Sequence, residues 1–209
     1  MEQTEFASLL DIAQAQAKIN ARLKAGNAFG EIAERVSAEI TGSVRVRGTG
    51  RDLKAAVPGW TRPADPVGLA APGPVRTPYA AVVGGWHPRD QRRYRDWLSE
   101  PAQIGEVKSR QVDRNLPPLD QFVDTRGGGP GTPFFPLVDF YLVIMFDLDG
   151  DILMARRLEL AEMVDYVASD VGRGGSWNYK VSISSFMTAG TDLTAPARSA
   201  IRRLPAPGE

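Results

Sequence analysis

Apolar residues recur at helical spacing twice before any strand pattern begins. Phe6, Leu9, Leu10, Ala13 and Ala17 form one stripe, which predicts a helix over residues 5–25 ended by Gly26-Asn27. Phe29, Ile32, Ala33, Val36 and Ile40 form a stronger stripe, which predicts a second helix over 28–41 closed by Gly42. The period then drops to two. Val44 and Val46 alternate with Arg45 and Arg47, and Leu53, Ala55 and Val57 alternate with Asp52, Lys54 and Ala56. Gly48-Thr49-Gly50 supplies a turn between these short strands.

Residues 58–102 break the rhythm. Pro58, Pro63, Pro66, Pro72, Pro74 and Pro78 crowd the first half, and a short helix is expected only after His87-Pro88. About 45 residues without disulfide or metal bury too little surface to fold alone, so the stretch reads as an insertion between core strands. Strand alternation returns at Gln103 to Arg110. Residues 113–136 read as irregular, with one helical turn near Leu119 to Val123. The Gly127–Gly131 loop lacks the Lys-Ser/Thr of a phosphate-binding loop.

Phe140 to Phe146 is an unbroken apolar strand, expected to be central and buried on both faces, with Asp139 at its solvated end. Asp147-Leu148-Asp149-Gly150-Asp151 has the acid density of a calcium loop but puts its glycine at the wrong position. It reads instead as a hairpin turn into the strand Ile152 to Leu158. A helix is predicted over 159–170, a last strand over Trp177 to Ser184, and a loose tail over 195–209. This order predicts an α/β (α+β) chain: one domain over residues 1–209, an N-terminal helical pair, and a mixed sheet carrying the insertion.

Composition narrows the chemistry. Among 209 residues there are 25 basic and 25 acidic side chains, a balance that does not favour non-specific coating of nucleic acid. With no cysteine and one histidine, thiolate sites and multi-histidine zinc sites within one chain are excluded. Any metal must be held by carboxylates and carbonyls, which points to Mg²⁺ or Mn²⁺. The first residues lack the basic-then-apolar pattern of a signal peptide, and no apolar run is long enough to span a bilayer, so a cytoplasmic protein is expected. Frequent Ala, Arg, Gly and Pro fit a GC-rich bacterial or phage genome.

Within Gln103 to Arg110, alternation puts Glu106 and Lys108 on the face of Ile104, and Val107 on the other. An acid and a lysine so placed suit a metal-assisted cutter of phosphodiesters, the carboxylate holding the ion and the lysine orienting water and phosphate. On their own they read more simply as an ordinary ion pair on a solvated face. Asp52 begins the core strand that precedes this one in order.

An acid on one strand and Asp/Glu-x-Lys on the next, behind a helix carrying a glutamate, resembles the PD-(D/E)XK nuclease superfamily. Gly30-Glu31-Ile32-Ala33-Glu34, the Phe140–Phe146 strand with its acidic hairpin, and the Trp177 strand are similar to parts of small restriction-endonuclease-like bacterial proteins. The likeness spans most of 5–57 and 103–193; residues 58–102 match nothing in it. It implies a restriction-endonuclease-like sheet flanked by helices and a Mg²⁺- or Mn²⁺-dependent endonuclease acting on DNA, with a homodimer as a reasonable assembly. It further implies that Asp52 and Glu106 bind the metal, that the Val107 carbonyl adds a ligand, that Lys108 sits beside the attacking water, and that Glu34 completes the site. The proline expected before the aspartate is Arg51 here. Glu34 also reads as a solvated helix residue, since it lies well away from the apolar stripe.

Arg92, Arg93 and Arg95, beside Tyr94 and Trp97, suit phosphate contact and base stacking, and Arg110 extends the Glu106 strand toward a phosphate. The competing reading is a solvated helix whose aromatics pin it to the core. A nuclease-like fold that no longer cuts, acting as a nucleic-acid-binding or protein-interaction module, is the alternative function. A small-molecule enzyme lacks a cofactor loop, a nucleophile elbow or a histidine cluster.

Overall fold

Seven consecutive apolar residues leave no polar face to offer water, and the chain builds its sheet around them. The computed structural model describes residues 28–46, 51–70, 74–118, 121–124, 134–170 and 180–203. The predicted helix over 5–25, the Gly127–Gly131 loop and Trp177 lie outside these. Helix α1 (Ala28–Thr41) is followed by β1 (Val44–Arg45) and β2 (Leu53–Ala55). The insertion contributes β3 (Val67–Ala70), β4 (Val75–Pro78), α2 (Tyr79–Val82) and α3 (Pro88–Ser99). Then come β5 (Gln103–Gln111), β6 (Phe122–Asp124), β7 (Phe140–Phe146), β8 (Ile152–Glu159) and α4 (Leu160–Asp170). The last elements are β9 (Lys180–Ser182), α5 (Ile183–Phe186), β10 (Thr191–Asp192) and α6 (Thr194–Ile201).

Among the described residues, the central sheet has six strands in the order β1-β2-β5-β7-β8-β10. Only β5 and β7 are parallel; the other neighbours are antiparallel. Strand β7 is buried along its whole length, as its composition predicts. Phe140, Leu142, Ile144 and Phe146 share a core with Ala33 and Val36 of α1 and Ala197 of α6. Tyr141, Val143 and Met145 share the opposite core with Met163 and Val164 of α4 and with Tyr79, Tyr94 and Trp97 of the insertion. The chain is thus a mixed, mostly antiparallel sheet flanked by helices. Gly42 ends α1 at φ +62°, and Gly150 turns the β7–β8 hairpin at φ +92°, conformations that a side chain would strain.

The insertion is anchored by one buried ion pair. Arg62 Nε donates to Asp139 Oδ1 at 2.6 Å and Nη2 to Oδ2 at 2.8 Å. Both side chains are about 95% buried, at 5% and 4% exposure. The guanidinium also donates to the carbonyls of Trp97, Leu98, Glu100 and Ala102, and lies 4.9 Å over the Trp97 ring. Helix C-termini leave carbonyls without intrahelical donors, and a cation is favoured there. Asp139 meanwhile accepts from the Ile104 amide at 2.7 Å. The pair therefore joins the end of α3 to the starts of β5 and β7.

Five expectations change. Asp139 is buried in this pair instead of solvated at a strand end. The proline-rich half of the insertion forms the β3–β4 hairpin, because Leu69 and Tyr79 give it apolar anchors. Of the turn expected near Leu119 to Val123, Leu119 and Asp120 lie outside the described residues, while residues 122–124 form a strand that pairs with β9. The last strand stops at Ser182: Ile183 donates to the Gln121 carbonyl and, with Phe186, is buried one helical turn apart. The tail is helical over Thr194–Ile201, since Ala197 and Ala200 are small enough to pack flush and Pro196 falls in the tolerant first turn.

Replacing Arg62 by methionine leaves the Asp139 carboxylate buried and uncompensated. Urea unfolding should show a loss of about 3–5 kcal/mol. Adding Asp139→Asn to that variant should recover part of the loss; a double variant no better than Arg62→Met contradicts the pairing.

Candidate metal centre

Asp52 is the last residue before β2, and Glu106 and Lys108 stand on the neighbouring strand, β5. The ladder between them pairs Leu53 with Gly105 and then ends. Asp52 donates its amide to the Gly105 carbonyl at 2.9 Å. Its side chain takes over from there: Oδ2 accepts the Val107 amide at 2.7 Å. The carboxylate so extends the sheet edge by one bond and is held beside Glu106. Val107 packs into the α1 core, so Glu106 and Lys108 face the opposite side, that of Ile104.

Glu106 is buried, at 3% exposure, and Lys108 Nζ meets its Oε1 at 2.6 Å. The solvated-face reading of this pair is therefore corrected: the Glu106 side chain is 4% exposed and that of Lys108 20%. Gly105 makes room for the approach of β7, since a Cβ there would lie 2.3 Å from the Phe140 ring. Asp52 is electrostatically strained. Burial pushes its pKa up to about 6, and the charges of Glu106 and then Glu34 push the same way, while the Val107 amide and Lys108 oppose them.

The structure brings Asp52, Val107, Glu106 and Lys108 together. Glu34 is half-buried on α1, paired with Arg45 at 2.8 Å; it acts on Asp52 through its charge but approaches from the α1 face. Among the described residues, no three or more acidic or histidine side chains form a single metal-holding group. Two carboxylates and a carbonyl remain a donor set that suits Mg²⁺ or Mn²⁺, ions that keep several waters.

Of the expected nucleic-acid contacts, Arg92 and Arg95 are exposed on α3 and Arg110 on β5, with no ion pair to any described residue. Arg93 is half-buried and pairs with Asp90 at 3.5 Å. Tyr94 and Trp97 are buried against Tyr79, so stacking on bases is closed to them and the core-pinning reading holds. Arg51, which stands where the resemblance expects a proline, has a structural contact of its own. Its Nη2 donates to the Arg93 carbonyl at 3.1 Å, which ties α3 to the residue next to Asp52. Its pKa is lowered by burial and by the neighbouring Arg93 charge. Arg62 went unread, because an arginine in a proline-rich stretch carries no periodic signal.

No family model and no curated protein matches this sequence. No helix among the described residues is long and apolar enough to cross a membrane.

Folded Asp52 holds its proton to about pH 6, whereas the unfolded chain releases it near 3.8. Stability should therefore fall as pH rises from about 4 to 6 and level off above. Asp52→Asn keeps an acceptor for the Val107 amide and removes the charge. Denaturation at pH 4.5 and 7.5 should show this variant gaining on the parent mainly at the higher pH; an equal or smaller gain there rejects the strain.

Proposed function

We propose that the chain is a divalent-metal-dependent endonuclease that hydrolyses phosphodiester bonds in DNA, built on a restriction-endonuclease-like fold. One observation carries the reading. An insertion separates Asp52 from Glu106, yet the β2–β5 ladder sets both beside Lys108, with Asp52 pinned to the Val107 amide. That adjacency is what the PD-(D/E)XK resemblance requires.

Asp52 and Glu106 would hold Mg²⁺ or Mn²⁺ with the Val107 carbonyl, and the bound ion would supply Lewis acidity and a more acidic water. The chain's own residues do the rest. Asp52 must be ionised to bind a cation, and its raised pKa sets the pH above which it is. Lys108, which now donates to Glu106, would orient the attacking water and offset the charge of the phosphate. Glu34 adds negative potential from the α1 face. The exposed Arg92 and Arg95 of α3 and Arg110 offer cations to phosphates. A homodimer would place two centres on a duplex.

A second reading draws on the Lys108–Glu106 contact at 2.6 Å, which already neutralises the carboxylate. In it the fold binds nucleic acid without cutting.

With Mn²⁺ or Mg²⁺, the protein should nick supercoiled plasmid. Lys108→Ala should slow nicking by about 10²-fold or more while the circular dichroism stays unchanged. Absence of any divalent-ion binding by calorimetry at millimolar ion sinks the nuclease reading. Affinity for DNA should fall steeply with salt, and removing Arg92 and Arg95 together should flatten the log–log slope by roughly 2.

A further inference from the structure

The structure carries a second recess, away from the candidate centre. It opens beyond the end of β5, near Val112, which lies six residues past Glu106 and so about 20 Å along the strand. Its volume is about 640 Å³, within the range of small-molecule sites. Met145, Leu153, Met154 and Ile183 make an apolar lining. Leu116 and Met187, also lining it, are 50% and 53% exposed, large apolar side chains left to water around one concavity. Methionines are flexible and polarizable, and they adapt to a flat guest.

Arg156 and Arg198 line the same recess. The Arg156 side chain is 17% exposed; its Nη2 donates to the Met187 carbonyl at 2.7 Å and pairs with Asp192 Oδ2 at 3.2 Å. Its Nε is sealed from water and has no acceptor. Arg198 spends Nε and Nη2 on the carbonyls of Ile152 and Leu153. Asp192 is the lining carboxylate that feels both cations, and both of its oxygens are engaged, Oδ1 by the Thr194 amide and Oδ2 by Arg156. Asp113, the other acid of the lining, accepts from Asn115 in a local turn. Arginine has five N–H donors, so both guanidiniums keep donors to spare.

We infer that this recess binds a small molecule with a flat apolar body and one anionic head, carboxylate, sulfonate or phosphate. The body lies on Met145, Met154 and Met187, and the head meets Arg156 and Arg198. This site is independent of the metal centre and of whether the chain cuts DNA.

The test uses the full chain with ¹³C-methyl methionine. Met145, Met154 and Met187 line the recess, while Met163 is fully buried in the core and serves as reference. The probes are 1-anilinonaphthalene-8-sulfonate and its uncharged relative N-phenyl-1-naphthylamine. The sulfonate should shift the three lining methyls saturably, leave Met163 in place, and bind at least fivefold tighter than the neutral probe. Arg198→Gln should weaken the sulfonate at least fivefold and the neutral probe little, with Met163 unmoved as proof of folding. Unmoved lining methyls overturn the site. Equal binding of the two probes by the unaltered chain overturns the anionic head, whether or not the variant folds.

Discussion

The buried pair of Arg62 and Asp139 decides where the candidate centre forms. Parallel strands have no hairpin between them to set their register, and β5 and β7 are the parallel pair of this sheet. Asp139 joins them directly: its amide donates to the Ile104 carbonyl at 2.7 Å, and its carboxylate accepts the Ile104 amide. Its own carbonyl receives Leu160, the first residue of α4. A slip of one residue would turn Glu106 and Lys108 to the α1 face. Arg62 makes the carboxylate tolerable inside the protein and gathers the last carbonyls of α3 around itself. A buried ion pair is weak evidence for stability but a strong device for specifying one arrangement.

The insertion is thus part of the architecture. Its aromatics, Tyr79, Tyr94 and Trp97, complete the core on the Glu106 side of the sheet. The same packing leaves Arg92 and Arg95 of α3 outside and the rings inside. Phosphate contact and base stacking, joined in one sequence motif, are thereby separated in space.

Around Asp52 the chain accepts an unfavourable arrangement. A carboxylate is desolvated, two more acids push against it, and relief comes from one amide and one lysine. Local rules of stability are broken most often where function needs them broken. The recess at the other end of β5 shows the same tension on a smaller scale, in a sealed guanidinium nitrogen and exposed methionine and leucine.

Periodicity made much of this legible. The stripe of α1, the two-faced burial of β7, the Asp149-Gly150 hairpin and the alternation of Glu106 with Val107 each follow from spacing that a local backbone imposes. Helix α6 was hidden because its buried residues are alanines, and β9 ends early because Ile183 finds a backbone partner on a distant segment. By itself, the sequence determined which residues share a strand face and which donor atoms the chain can offer, because both depend on neighbours in the chain and on side-chain chemistry. The tertiary structure alone decided that Glu106 is buried, that Asp139 is paired and that Asp52 reaches Val107. Each of these depends on a partner dozens of residues away, and no local preference encodes such a partner.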